Sequence, residues 1–91
     1  MAKVFQLASI PYDKNLGQYF KRSREAAGLT QGNLSEELGL KSSQFISNVE
    51  RGICAYTIDQ LPIVVELCAI DREQLIEHFM TVYREYITAN I

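Results

Sequence analysis

The sequence predicts an all-α domain of five helices, with a lengthened C-terminal helix and a short extended N-terminal arm. Three observations carry that expectation. Apolar residues recur at helical spacing after residue 13, Gly28, Gly39 and Gly52 supply C-terminal stops, and an Asn, Ser, Thr or Asp stands before each periodic stretch as a start signal. Hydrophobic residues make up 47% and charged residues 22% of the 91, the balance of a packed domain rather than a disordered chain.

Asn15 with Gln18 resembles a capping box, and Leu16, Phe20, Ser23 and Ala27 follow at helical spacing up to Gly28. Thr30 caps a second, short helix with Leu34 and Leu38 on one face and Gly39 as its stop. Ser42 and Ser43 open a third helix that runs to about Arg51, so residues 30–51 hold two helices joined by a short turn. Thr57 with Gln60, or Asp59 alone, starts a fourth helix in which Pro62 must lie in the first turn; it ends near Cys68. Asp71 with Gln74 opens the last helix, expected over 72–89, where Leu75, Ile76, Phe79, Val82, Tyr83, Tyr86 and Ile87 form a broad apolar stripe. Residues 15–91 therefore make one domain. Residues 1–14 form the arm, where Val4, Phe5, Leu7 and Ile10 suggest a short strand or a packed segment and Pro11 favours extended backbone before it.

Composition excludes several function classes. The apolar run Ile63-Val64-Val65 is far too short for a bilayer span, and the chain is expected to be cytoplasmic, without a signal peptide or membrane contact. Cys54 and Cys68 lack the spacing of a metal or redox pair and are expected to be free thiols. No Gly-rich phosphate loop, nucleophile motif or His cluster is present, so neither an enzyme nor a cofactor or metal site is expected; His78 is expected to be an ordinary surface or interfacial residue. Net charge is −2, yet residues 1–56 carry seven Lys/Arg against five Asp/Glu, whereas residues 57–91 carry two against six. A polyanion would meet the first half.

At about 100° per residue, Gln44, Ser47, Asn48 and Arg51 share one sector of the third helix, with Phe45, Ile46 and Val49 opposite. Amide, hydroxyl and guanidinium groups donate and accept across base edges and phosphates, and Gln and Asn can pair bidentately with adenine. A merely solvated face more often carries Glu and Lys. Glu50 borders the apolar face, as does Arg24 on the first helix. Their pattern suits either a partly buried ion pair setting the angle between these helices or two exposed charges.

The stretch from Arg24 to Gly52, with Gly28-Leu29-Thr30-Gln31 before the second helix and Glu50-Arg51-Gly52 after the third, resembles the Cro/phage-repressor, or XRE-like, helix-turn-helix family. The likeness extends through Leu61-Pro62 to about Phe79. It implies a lambda-repressor-like DNA-binding fold and a transcriptional regulator, a homodimeric repressor reading the major groove of a palindromic operator with the third helix. By the same resemblance Ser43, Gln44, Ser47 and Asn48 face base edges, Gln31, Lys41 and Arg51 contact phosphates, and Arg24 and Glu50 pair. Phe79, Val82, Tyr83, Tyr86 and Ile87 are the expected dimer contact, with packing inside one chain as the other use of that stripe; a dimer would set two third helices ~34 Å apart.

Three departures from the family pattern stand out. The turn from Gly39 to Glu50 is one residue longer, Ser35 replaces a usual Ala and its hydroxyl needs a partner, and the loop Ile53-Cys54-Ala55-Tyr56 lacks basic residues, which predicts modest, salt-sensitive affinity. That apolar loop and the acidic second half also suit an alternative: a protein-interaction module on the same fold, such as an antitoxin or a phage or plasmid regulator that binds a protein partner.

Overall fold

The computed structural model describes residues 12–91 and contains five α-helices and, among those residues, no strand. The apolar segment expected to form the arm lies outside the described residues. The first helix, α1 (Lys14–Ala26), begins one residue earlier than the expected boundary of the arm. Its N-cap is Asp13, whose Oδ1 accepts from the Leu16 amide at 3.0 Å; the expected Asn15–Gln18 box is absent. The carboxylate wins because it satisfies an orphan amide while placing negative charge at the positive end of the helix. Gln18 is thereby left to point across at α3.

Helix α2 (Gln31–Glu37) starts at a reciprocal cap in which Thr30 Oγ1 accepts from the Asn33 amide at 2.9 Å and Asn33 Oδ1 accepts from the Thr30 amide at 3.0 Å. Helix α3 (Gln44–Glu50) follows a turn through Gly39, whose φ of 71° is the left-handed conformation that glycine adopts without steric cost. Before α4 (Leu61–Leu67), Thr57 and Gln60 exchange the expected side-chain bonds at 2.9 and 3.2 Å, but they close a separate turn. The cap position of α4 is Gln60 rather than Asp59, without a side-chain bond to the helix, and Pro62 lies in the first turn, where the missing N–H costs nothing. Helix α5 (Arg72–Ala89) is capped by Asp71, whose Oδ1 accepts from the Gln74 amide at 3.0 Å.

All five helices contribute to one core. Leu16, Phe20, Leu34, Ile46, Val49 and Val64 are essentially sealed from solvent, and Cys68, Ile70, Leu75 and Val82 close the side under α4 and α5. α1 packs mainly on α3 and also on α5, while α2 bridges α3 and α4. Tyr56 fills the loop after α3, its ring edge-on to Phe20 at 5.0 Å between centroids. Burial pushes the Cys54 and Cys68 thiols up, so both are protonated, weakly reactive thiols at neutral pH. Among the described residues no helix is long and apolar enough to cross a membrane, and no three His, Cys, Asp or Glu side chains gather at metal-binding distance.

A half-buried phenol, Tyr12, and a buried one, Tyr56, give the fold an alkaline limit. Burial raises Tyr12, aided by the neighbouring Tyr56, and burial with the nearby Glu50 carboxylate raises Tyr56. The unfolded chain's phenols ionise near pH ~10 while these stay protonated, so stability is fully present below that pH and falls as pH rises above it. We expect the urea midpoint to drop steeply above about pH 10. Tyr56→Phe should flatten that drop, because it removes one of the two ionising groups, and it gives up no hydrogen bond in doing so. An equally steep drop in this variant would remove Tyr56 from the account.

Candidate nucleic-acid interface

The interface starts from how α3 is held. The Glu50 side chain is 3% and Arg24 7% exposed, so the two charges meet away from water. Arg24 Nε donates to Glu50 Oε2 at 2.7 Å and Nη2 to Oε1 at 3.0 Å, a two-pronged contact that fixes orientation as well as distance. Nη1 donates to the Leu29 carbonyl at 2.8 Å, and Gln31 Nε2 adds a donor to Glu50 Oε1 at 3.0 Å. The Glu50 carboxylate thus joins α1 and α2 to the end of α3, and Arg24 adds the α1–α2 link. The carboxylate's hydrogen bonds hold the Arg24 guanidinium even further above its ordinary value. Of the two uses open to these residues, exposed charge or buried pair, the structure has the pair.

Close approach of α1 to α3 depends on Gly17. A Cβ there would lie 2.7 Å from both the Val49 and the Glu50 carbonyl oxygens, so no other residue leaves α3 where it is. The Val49 carbonyl, which also accepts the Gly52 amide at 3.0 Å, receives Tyr12 Oη at 3.2 Å, and the Glu50 carbonyl receives Gln18 Nε2 at 3.5 Å. Gly52 ends α3 at φ 80°, and a Cβ there would lie 2.9 Å from Lys14 N and Cα. Sequence patterning missed Gly17 and Tyr12; a glycine inside an otherwise good helix was the available signal, since it is costly unless a backbone must come close.

The lengthened turn is pinned from below. Ser35 Oγ, buried, donates to the Ser42 carbonyl at 2.7 Å, which supplies the partner its hydroxyl needs and ties α2 to the entry of α3. Ser42 Oγ accepts from the Gln44 amide at 3.3 Å, so Ser42 supplies the capping oxygen. Ser43 occupies the cap position without a side-chain bond to the helix. Lys41 is exposed in the same turn.

On the outer face, Gln44 and Arg51 are exposed and Ser47 and Asn48 half-buried, while Ile46, Val49 and Glu50 face inward. Three of the outer side chains are linked: Gln44 Nε2 donates to Asn48 Oδ1 at 3.0 Å and Arg51 Nη2 to the same oxygen at 2.6 Å. Asn48 therefore offers its amide donors, and bidentate pairing with adenine would require it to release its carbonyl first. Gln31 differs from expectation, since its amide nitrogen is turned inward onto Glu50.

Helix α5 divides the expected dimer stripe. Val82 is buried in the chain's own core beside Leu75, and Phe79 packs half-buried against it; Tyr83, Tyr86 and Ile87 are exposed. Inward residues at i, i+4 and i+7 leave the rest of the stripe on the solvent side. His78 is half-buried, its ring 4.0 Å from that of Tyr19 between centroids.

No curated protein matches the chain significantly. A family model described as a helix-turn-helix domain matches residues 15–79, which include every side chain that holds α3 except Tyr12. Members of such DNA-binding families are typically non-enzymatic. With well over half of its length matched, the chain belongs to the helix-turn-helix domain family of the Cro/XRE-like type.

Proposed function

We propose that this protein is a sequence-specific DNA-binding regulator, a cytoplasmic homodimeric repressor that reads the major groove of a palindromic operator with α3. One observation carries the proposal most directly. The outer face of α3 presents Gln44, Ser47, Asn48 and Arg51 on a helix whose opposite face is locked into the core by Ile46, Val49 and Glu50. A rigid helix with amide and hydroxyl groups outward is what groove readout needs, because base-edge contacts reward donors held at fixed positions. In this proposal Ser43, Gln44, Ser47 and Asn48 contact bases, and Lys41 and Arg51 contact phosphates. Gln31 contributes its second amide proton to a phosphate while keeping its bond to Glu50.

Enrichment of random duplexes on the purified protein should yield a two-fold-related site. Gln44→Ala and Asn48→Ala should each weaken binding to it by about 1–3 kcal/mol while weakening bulk DNA binding little. Arg51→Ala should lower affinity for all sequences and reduce the salt dependence. No enrichment at low salt would overturn the proposal.

A second function on the same fold is favoured by the apolar surface beyond α3. Ile53, Ile58 and Ile63 are all exposed there, where phosphate-binding side chains would be expected in a strong DNA binder. A protein-interaction role would survive both α3 substitutions unchanged and respond instead to charge placed at Ile53 or Ile58.

A further inference from the structure

Four apolar side chains on α5 face solvent: Ile76, Met80, Tyr83 and Ile87, between 38% and 57% exposed. Their spacing of four, three and four residues makes a straight seam about 16 Å long at 1.5 Å per residue. The seam lies about 110° around the helix from Leu75 and Val82, which face the core. Beyond Val82 every residue of the helix is exposed, including Tyr86, and so is Ile91 after it. Two helical turns without tertiary contact are marginal in water, so this end needs a covering surface.

We infer that the seam is covered by α5 of a second copy of this chain, running antiparallel about a two-fold axis between residues 81 and 82. This deepens the homodimer of the proposed regulator, and charge complementarity selects the arrangement. The antiparallel register sets Ile76 opposite Ile87 of the second copy and Met80 opposite Tyr83, a thioether against an aromatic ring. It brings Glu77 alongside Arg84 of the second copy, twice by symmetry; both are exposed, and neither enters an ion pair among the described residues. Glu73, next on the seam, falls opposite the neutral Asn90. A parallel pairing would instead press Glu73 against its own copy, like charge on like charge.

The same register explains a groove at the other end of the seam. Ile58, Leu61, Pro62, Val65 and Ile70 line it together with Glu66 and Arg72, the latter one turn of α5 before Ile76. The end of α5 in the second copy falls beside the first turn of α5 here, which brings Ile91, two residues past the helix and 99% exposed in the single chain, to this groove. Seam and groove together form a continuous, self-complementary surface, as a two-fold interface requires.

Sedimentation equilibrium of the full chain without DNA tests this, and its outcome does not depend on whether the DNA-binding proposal holds. A dimer is expected at micromolar concentration. Met80→Asp should give a monomer that still unfolds cooperatively, since Met80 makes no core contact, with any loss of circular dichroism confined to the last two turns of α5. Glu77→Arg and Arg84→Glu should each weaken the dimer at least about tenfold, because each brings like charges together twice. Mixing these two variants should restore a dimer as tight as the original, because every cross-pair is then opposite in sign. A monomeric wild-type chain, a dimer indifferent to Met80→Asp, or single variants not rescued by mixing would each overturn the inference.

Discussion

Replacing Glu50 with Ala is expected to cost about 3–5 kcal/mol of unfolding free energy, measured from urea midpoints. The loss is large because Arg24 stays behind, 7% exposed and charged, with only the Leu29 carbonyl at 2.8 Å and the more distant Glu25 at 3.9 Å to balance it. Gln31 loses its acceptor as well. The pair itself need not add much net stability, since taking two charges from water offsets most of their attraction. Arg24→Met with Glu50→Leu should therefore recover most of what the single change loses. The double variant nevertheless gives up the polar link between α1, α2 and α3, so its DNA affinity should fall although its stability returns. A single-variant loss below about 1 kcal/mol would mean that the pair is solvated and does not set the position of α3.

Gly17→Ala is expected to destabilise by about 3 kcal/mol, the upper end of the usual range for overpacking. Alanine in a helix would ordinarily gain about 1 kcal/mol over glycine, so the sign of the effect separates local propensity from tertiary contact. The new methyl would sit 2.7 Å from two backbone oxygens, which cannot rotate aside as a side chain would, and α1 must move off α3. That movement also strains Tyr12 and Gln18, the side chains that reach the same carbonyls. Unfolding midpoints would show the loss directly. An unchanged or raised midpoint would mean that the α1–α3 interface has slack.

Helix order, approximate boundaries and the polar face of α3 were legible in the residues because each depends on neighbours three or four positions away. Thr30, Gly39, Gly52 and Asp71 act through local backbone chemistry, and they end or begin helices at the positions where they stand in the sequence. The first start was the exception: the residues pointed to Asn15, and the folded backbone uses Asp13, two positions earlier. The split of the α5 stripe was not legible, because Leu75 and Val82 differ from Ile76 and Tyr83 only in which neighbour the helix meets. An apolar residue carries no mark of whether its partner lies in the same chain or another.

The sequence by itself therefore determined a five-helix chain with α3 amphipathic and Arg24 and Glu50 at the margins of their apolar faces. Tertiary structure alone decided that those two charges are buried together, that Gly17 lets α1 touch the end of α3, that Gln31 turns inward, and that Asn48 has its carbonyl occupied. The physical reason is range. Capping and helical periodicity act within about one turn of helix. Ion pairing, close backbone approach and the division of α5 between core and surface join residues far apart in sequence, such as Arg24 and Glu50, whose meeting depends on how whole helices pack.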